Sequence, residues 1–395
     1  MDRLPEVQVG VLISRTAAAD VDELRGFVDL VTRDAAAVLE EATGVRWNFH
    51  SVTPDQLSDD APRRPGEFLQ EASLRMIEGP YDWVLVVTDA GVSSRANRVV
   101  PGLASRVARV VVVSTRKLLA APRGRPRRSL QGEHVRWNAS TLLVHLAGRL
   151  MGLRSLGGSD DVMAPFAFDE ARGSVPPFRV PPQRLHARAL ALREREHRGR
   201  NIFSHLAFHA ESAARHPGLI AGTLLRSRAP LLPLRLPSLA TAAVAPAFVL
   251  MFTAEIWDTG LNLRPEAAVG FAFAMVLAST LYLIIFQALF FPHRERRVVT
   301  EHLAVVNVTL FLTILLAIMG LFVMLASLIL VVVLLVVPPG LASTWPTLDP
   351  GAVTLVDRVR VAAFIASIGV LTGALAGGLD SRILIRHLAL FPEEP

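Results

Sequence analysis

Four long, nearly uncharged runs in the second half of the chain constrain its fold more than any other feature. They cover residues 238–257, 266–291, 303–337 and 361–379. Each run, as a helix rising about 1.5 Å per residue, is long enough to cross a hydrocarbon layer of roughly 30 Å. No polar turn divides the third run, so we expect one tilted or protruding helix there. Residues 238–395 are therefore predicted to form an all-α transmembrane helical bundle of four spans with a short tail.

The first half of the chain has a different composition. The whole chain of 395 residues is 51% hydrophobic, but up to Pro237 its apolar runs are short and interrupted by charge. A soluble domain over 1–172 is therefore predicted. Residues 173–237 are expected to be a linker with three parts, namely an extended Pro-rich spacer, a helical segment, and a stretch of Leu, Arg and Pro that lies on the membrane surface.

Arginines that flank the apolar runs predict the orientation of the bundle. Those on the arginine-rich side are Arg226, Arg228, Arg235, Arg294, Arg296, Arg297, Arg382 and Arg386. The positive-inside rule then places both termini in the cytoplasm, and the N-terminus has no basic and apolar regions typical of a secretory signal. Lys117 is the single lysine among 41 basic residues, a usage typical of GC-rich bacterial genomes. We therefore expect a multi-pass protein of the bacterial cytoplasmic (inner) membrane.

The fourth run contains a ridge of small residues at intervals of four, formed by Gly369, Gly373 and Gly377. Such a ridge lets a second helix approach closely, backbone to backbone. The second helix is either another helix of the same bundle, which we favour, or the same helix of a second copy in a homo-oligomer.

Alternating strand and helix patterns predict an α/β fold for the first domain. Strands are expected at 6–14, 45–52, 82–89 and 108–115, and helices near 20–43, 67–77 and 135–152. Because strands and helices alternate, the sheet should be mostly parallel, with room for one antiparallel edge.

The predicted helix over 135–152 carries a pattern with a known counterpart. Residues 141–153 read TLLVHLAGRLMGL, and VMAP follows at 162–165. In order and spacing this resembles the core motif of the metzincin superfamily of zinc metallopeptidases, whose matrixin and archaemetzincin-like members it resembles in different details. The resemblance implies a zincin-like α/β domain. In that family three His bind zinc, a Glu polarises the attacking water, a Gly turns the helix sharply, and a Met forms a turn beneath the metal.

Three positions of the motif match the family, namely His145, Gly152 and Met163. Leu146 stands at the position of the Glu, and Arg149 and Ser155 stand at the other two His positions. Leucine accepts no proton, a guanidinium repels a cation, and serine is a poor zinc ligand. We therefore expect a pseudo-metallopeptidase with no catalytic residue, no bound metal and no cofactor. The alternative is an amphipathic core helix that ends in a glycine by coincidence.

The charge of Arg149 leads to a prediction about its partner. His145 and Arg149 lie one helical turn apart, so the guanidinium can take the place of the missing ion and pair with a carboxylate. The candidate partners are Asp160, Asp161 and Asp169. A different set of metal ligands, His145 with His134 or Glu133, is the alternative and would belong to an enzyme with non-standard ligands.

Two other groups of residues could hold a ligand. His205 and His209 are one helical turn apart, but no third metal ligand accompanies them in the sequence. The arginine-rich segment 123–128 has no interleaved aromatic residues, so we expect a solvated loop there and no nucleic-acid partner.

Three functions are compatible with these features. The first is a binding or regulatory module at the membrane, in which an inactive metzincin-like cytoplasmic domain holds a peptide or protein at the former substrate cleft. The second is an active membrane-anchored zinc metallopeptidase with non-standard ligands. The third is a transporter or channel component with a regulatory soluble domain, which requires a polar path through the membrane. Residues that would line this path are Gln287, Asn307, Thr309 and Thr313.

Overall fold

The structure is a computed structural model, and its chain divides into two compact units. The residues that it describes are 5–51, 55–57, 61–95, 97–121, 126–154, 160–192, 196–198, 202–290, 298–337, 353–376 and 382–391. The first unit comprises Met1–Ile220, His293–Val306 and Leu390–Pro395, and the second comprises Ala221–Pro292 and Asn307–Ala389. The sequence-based division at residues 172 and 237 differs from this one, because part of the expected linker packs on the first core.

The first unit is built on a six-stranded sheet. The strands among the described residues are β1 (Glu6–Arg15), β2 (Arg46–Ser51), β3 (Asp55–Gln56), β4 (Trp83–Thr88), β5 (Val92–Ser93), β6 (Val99–Val100), β7 (Gly102–Ser105), β8 (Val110–Ser114), β9 (Glu196–Arg198) and β10 (Val298–Thr300). The main sheet has the order β2-β1-β4-β8-β7, with β3 also paired to β1. Its pairs are parallel except for β7 against β8. The predicted α/β fold with a mostly parallel sheet and one antiparallel edge is confirmed.

The described helices of the first unit are α1 (Val21–Thr43), α2 (Pro65–Glu78), α3 (Thr115–Leu118), α4 (Glu133–Leu150), α5 (Pro182–Leu190), α6 (Ile202–Arg215) and α7 (Pro217–Ser227), the last of which continues into the second unit. The first four contact the sheet, and α5 packs on α1. Local signals explain the limits of α1. The Asp20 side chain accepts hydrogen bonds from the backbone N–H groups of Asp22 and Glu23, and Gly44 ends the helix with φ of 65°.

The core of the first unit extends beyond residue 172. Val175, Phe178 and Val180 of the Pro-rich segment pack against it, and Leu185 and Ala189 of α5 are buried within it. The segment is therefore not a free spacer. Apolar side chains placed between its prolines remove enough surface from water to hold it against the core.

The second unit contains helices only among its described residues. A 3-10 helix at Ala229–Arg235 precedes α8 (Pro237–Met251), α9 (Ala254–Asn262), α10 (Pro265–Phe286), α11 (Glu301–Val336), α12 (Leu355–Ala376) and α13 (Arg382–Leu390). The first six residues of α11 and the last residue of α13 belong to the first unit. In this part of the chain, three helices are long and apolar enough to cross a membrane, namely α10, α11 and α12 up to Leu375. The number is four if Pro217–Arg235 and Pro237–Met251, bent by 56°, form one span.

Of the predictions for the first and third spans, the structure contradicts one and confirms the other. The third apolar run forms one helix, α11, as predicted. The prediction of a single helix over 238–257 is wrong, because α8 ends at Met251 and Trp257 lies in the separate helix α9. Pro246 removes one backbone donor inside α8, and the Trp257 indole N–H donates to the Met251 carbonyl at 2.8 Å, which satisfies one acceptor at the helix end.

Candidate functional site

Helix α4 carries the metzincin-like motif and ends with a sharp turn. The Leu153 N–H donates to the Gly148 carbonyl and the Gly152 N–H donates to the Arg149 carbonyl, both at 3.0 Å. These two bonds are those of a Schellman motif, which requires a left-handed residue just after the helix. Gly152 is that residue, with φ of 77°. A side chain at this position would also meet the guanidinium of Arg106.

A tight turn at 161–164 places Met163 beneath α4. The Ala164 N–H donates to the Asp161 carbonyl at 2.9 Å, and the Met163 N–H donates to Asp161 Oδ1 at 3.0 Å. Met163 is buried, and its sulfur lies where a Cβ on Gly148 would be. Gly148 therefore lets the methionine turn approach the helix backbone one turn after His145.

His145 points into this packed region. It is 2% exposed, and its Nδ1 lies 2.8 Å from the Val162 carbonyl. A carbonyl accepts only, so Nδ1 carries the proton, and Nε2 of the neutral ring is an acceptor. Nε2 is buried and has no hydrogen-bond partner. Burial, with a smaller contribution from the charge of Arg149, lowers the pKa of His145, and the Val162 carbonyl and Asp161 oppose this shift.

Leu146 contacts the edge strand of the sheet. It is 1% exposed, and its Cδ1 would be 2.8 Å from a Cβ placed on Gly102, the first residue of β7. The Val112 carbonyl would be 2.9 Å from the same Cβ. Helix α4 and β7 therefore pack directly at Gly102, and at the motif position of the Glu an apolar side chain fills the space between them.

The aspartates proposed as partners of Arg149 each have a described interaction elsewhere. Asp160 forms an ion pair with Arg179 at 3.5 Å. Asp169 Oδ1 accepts the Ala171 N–H at 2.9 Å. Asp161 Oδ1 caps its own turn, and its Oδ2 is buried without a hydrogen-bond partner. The pairing of Arg149 with one of them stays a prediction, and Ser155 lies outside the described residues.

The alternative ligand set of His145 with His134 or Glu133 does not fit the geometry. Helix α4 is continuous from Glu133, so His134 lies about three turns before His145, roughly 16 Å along the axis. Zinc–nitrogen bonds are about 2 Å long, so one ion cannot join both rings. His134 instead packs edge-on against Phe168, with 6.2 Å between ring centroids.

The donors near His145 do not make a zinc site of the kind that the motif implies. The His145 ring is oriented as in a metal ligand. Its Nδ1 is held by the Val162 carbonyl, and its Nε2 has no hydrogen-bond partner. One helical turn after His145 the chain has the guanidinium of Arg149, and directly after His145 it has Leu146, neither of which can bind a metal ion. Among the described residues, no group of three His, Cys, Asp or Glu is placed to hold a metal ion.

The other sequence-based candidates lie elsewhere. His209 Nδ1 is 2.6 Å from the His205 carbonyl on α6. Residues 123–125 of the arginine-rich segment lie outside the described part of the chain. Arg128 differs from the expectation of a solvated loop, because it pairs with Glu170 at 3.0 Å and lies 3.8 Å from the centre of the Phe168 ring.

In the second unit, the glycine ridge packs on α8. A Cβ on Gly369 would lie 3.0 Å from the Ala243 carbonyl, and one on Gly373 would lie 2.6 Å from the Ala243 Cβ. Gly377 lies outside the described residues. Of the residues expected to line a polar path, Asn307, Thr309 and Thr313 of α11 are buried. The Thr313 hydroxyl donates to the Thr309 carbonyl at 2.7 Å.

Sequence reasoning missed two contacts that position α4. Arg136 donates from Nε and Nη2 to both oxygens of Asp34 at 2.6 Å, which joins α4 to α1. The second contact is that of Leu146 with Gly102. For the Arg136–Asp34 contact, the available signal was an aspartate within the otherwise apolar face of α1. The sequence does not reveal which distant arginine contacts this aspartate. No local pattern marks the second.

Comparisons with known proteins found solved structures that are similar to part of the chain. No family model matches the chain, and no curated protein matches it. An archaemetzincin structure from Methanopyrus kandleri is similar over 46% of this chain and 95% of that chain, with 22% identity and a TM-score of 0.31. A zinc-dependent peptidase from Methanocorpusculum labreanum is similar over 46% and 100%, with 14% identity and a TM-score of 0.31. An archaemetzincin from Archaeoglobus fulgidus, complexed with malonate, is similar over 43% and 94%, with 16% identity and a TM-score of 0.29.

Proposed function

We propose that this protein is a membrane-attached binding or regulatory module whose zincin-like domain carries out no zinc-dependent hydrolysis. The observation that carries the proposal is the side chain of Leu146, which is buried against Gly102 at the motif position of the catalytic Glu. Hydrolysis by a metal-bound water needs a base within hydrogen-bond reach of that water. A leucine held between α4 and β7 supplies none.

Electrostatics at α4 also oppose a cation. The charge of Arg149 lowers the pKa of His145. The arginine therefore makes the electrostatic potential at the imidazole more positive. A zinc ion bound to Nε2 would experience the same repulsion. Since catalytic zinc sites generally use three protein ligands, one histidine beside a permanent positive charge is a weak site.

The frame of the motif has a structural role that does not depend on metal. Met163 packs on Gly148, and Gly152 closes the helix. These contacts fix the end of α4 and the turn beneath it, while Leu146 packs the helix against β7, an edge strand of the sheet. The ligand that we propose for this region is a peptide or protein chain at the former substrate cleft. An extended segment can add to a sheet edge through backbone hydrogen bonds.

The apolar helices support attachment to a membrane. Three or four of them are long and apolar enough to span it. Exposed Leu225 and Leu234 alternate with Arg226 and Arg235 just before α8, a pattern typical of a segment at a lipid surface. We propose four spans, with the bent pair Pro217–Arg235 and Pro237–Met251 counted as one, in the bacterial cytoplasmic membrane. The flanking arginines then place both termini in the cytoplasm.

One observation favours the second candidate, a metallopeptidase with non-standard ligands. The Nε2 lone pair of His145 is buried and unpaired, which is the orientation of a metal ligand. No contact of the described residues specifically favours a transporter or channel, so we do not develop that candidate.

A hydrolysis assay with a designed reversion tests the proposal. The full chain in lipid nanodiscs, supplied with zinc, should not cleave a quenched-fluorescence peptide library above a protein-free control. The triple variant Leu146→Glu, Arg149→His and Ser155→His restores the motif and should bind zinc, with Leu146→Gln, Arg149→Gln and Ser155→Gln as the matched polar control. Chelator-sensitive cleavage by the wild-type chain, abolished in His145→Ala, would overturn the proposal in favour of the second candidate.

A further inference from the structure

A cavity of about 270 Å³ lies in the first unit, apart from the motif on α4. Its lining includes Thr16, Asp20, Glu23, Asp89, Arg116 and Arg127. Thr16 follows the last residue of β1, Asp89 follows β4, and Thr115, which also lines the cavity, follows β8. The cavity therefore lies at the carboxyl ends of three neighbouring parallel strands.

The order of the strands makes this edge a topological switch point. From β1 the chain crosses through α1 to β2 on one side, and it later returns through α2 to β4 on the other side of β1. The chain leaves the carboxyl end of β1 toward β2, and it leaves the carboxyl end of β4 toward β7 and β8 on the opposite side. These two connections diverge, which opens a crevice between the strand ends. Ligands of open α/β sheets bind in such crevices.

The two walls of the cavity carry opposite charge. Asp20 and Glu23 lie at the start of α1, and Arg116 and Arg127 lie after β8. Although all four line one cavity, the described residues Glu23 and Arg127 form no ion pair with each other. Asp89 is already committed, since its Oδ1 accepts the Thr16 N–H at 2.7 Å and its Oδ2 bonds the Thr16 hydroxyl.

These charges select the ligand. The amino end of α1 is capped by Asp20 and carries Asp22 and Glu23 in its first turn, so it attracts a cationic group and repels an anion. The arginine wall attracts an anionic group such as a carboxylate. Leu24, Leu119 and Leu130 supply an apolar surface between the walls. One molecule that carries an ammonium and a carboxylate satisfies both walls.

We propose that this cavity binds a small zwitterion of the α-amino acid or dipeptide class. Its ammonium group lies against Asp20 and Glu23, and its carboxylate lies against Arg116 and Arg127. Ligand sites usually enclose about 300–1,000 Å³, so this cavity is at the lower limit and suits a ligand of that size. A zwitterion site in this domain rests on the proposed function as a binding module. It is a separate site, because no residue of α4 lines the cavity.

Calorimetric titration of the full chain in nanodiscs tests the proposal with leucine and the dipeptide alanylleucine as probes. Glu23→Gln and Arg127→Gln should each weaken binding of alanylleucine about tenfold, or about 1.4 kcal/mol, since each removes one charge-assisted hydrogen bond. Asp29→Asn and Arg25→Gln are matched controls, because both are exposed residues of α1 that lie beyond its first turn and do not line the cavity. Both controls should bind as the wild type does.

Modified dipeptides test which wall binds the ammonium group and which binds the carboxylate. N-acetylated alanylleucine should bind weakly and should no longer respond to Glu23→Gln. The C-terminal amide should no longer respond to Arg127→Gln. No heat at millimolar concentrations of either probe, equal binding by the variants and the wild type, or binding of inorganic phosphate without either zwitterion would overturn the proposal. Zinc-dependent cleavage would overturn the proposed function and leave this result unaffected.

Discussion

His145 and Arg386 are buried basic side chains, one in each unit, but their nitrogens are satisfied to different degrees. Arg386 is 3% exposed, and its Nε and Nη2 donate to the carbonyls of Ala288, Leu289 and Phe290 at 2.8–3.3 Å. His145 has a partner at Nδ1 and none at Nε2.

This difference separates a side chain whose charged group is fully hydrogen-bonded from one that keeps a buried nitrogen without a partner. Helix α10 ends at Phe286, and carbonyls beyond a helix end need donors. The guanidinium of Arg386 supplies these donors, and the hydrogen bonds offset the cost of burying its charge. The Nε2 nitrogen of His145 makes no hydrogen bond in its surroundings. Under the proposed function, it belongs to a motif whose neighbouring positions hold Leu146 and Arg149 instead of a base and a second ligand.

Removing the guanidinium of Arg386 should have the largest effect. Arg386→Met keeps much of the apolar stem but leaves three carbonyls without donors, and we expect a loss of about 4 kcal/mol in the free energy of unfolding. Denaturant-induced unfolding of the full chain in mixed micelles measures it. Arg235→Met, which changes an exposed arginine of the same unit, is the control and should cost less than about 0.5 kcal/mol. Equal stability of both variants would contradict the structural role of Arg386.

Shortening Leu146 should have the next largest effect. Leu146→Ala leaves a cavity between α4 and β7, so the free energy of unfolding should fall by about 3 kcal/mol, as measured by chemical denaturation. Leu30→Ala, at a position that is 41% exposed on α1, serves as the control and should change stability by less than about 1 kcal/mol. A loss at Leu146 no greater than that at Leu30 would mean that the leucine does not fill the space assigned to it.

Replacing Gly152 should destabilise the end of α4 more modestly. Gly152→Ala forces a side chain into a left-handed conformation and against the Arg106 guanidinium, so we expect a loss of about 1–2 kcal/mol. The melting temperature of the first unit's transition measures it. Gly26→Ala in the middle of α1, where a Cβ meets no atom within 4 Å, should instead stabilise the chain slightly. The reverse order of the two variants would contradict the assigned helix end.

The effect of His145 should appear mainly as a dependence on pH. Its folded-state pKa is lowered by burial, so the unfolded chain binds more protons once the pH falls below the ordinary value of about 6.5. The histidine therefore contributes full stability above that pH and loses it as the pH falls toward the folded-state pKa. The difference in stability between wild type and His145→Gln should shrink over this window. A difference independent of pH would mean that the folded-state pKa is not lowered.

The sequence predicted much of the fold because its signals were local. Strand and helix periodicity located the parallel sheet and α4, and the long apolar runs located α10 to α12. The contact of Leu146 with Gly102, the Asp34–Arg136 pair and the packing of Val175 and Phe178 depend on residues distant in the chain, which no local pattern identifies. The bend at Met251 depends on an indole bond that hydropathy does not record.

The candidate site was predictable to the same extent. The spacing from His145 to Gly152 and Met163 anticipated a helix, a sharp end and a turn, and the structure brings these residues together. The carboxyl-end cavity was not anticipated, because its lining comes from four separate segments whose proximity follows only from the order of the strands.

The metal content of the purified full chain tests the central claim most directly. Wild type and His145→Ala, exposed to zinc and then dialysed, would be compared by plasma mass spectrometry. Our account predicts no stoichiometric zinc in either protein, because one imidazole beside Arg149 cannot hold the ion. Stoichiometric zinc in the wild type that is lost in His145→Ala would contradict the account and identify a metal centre built from other ligands.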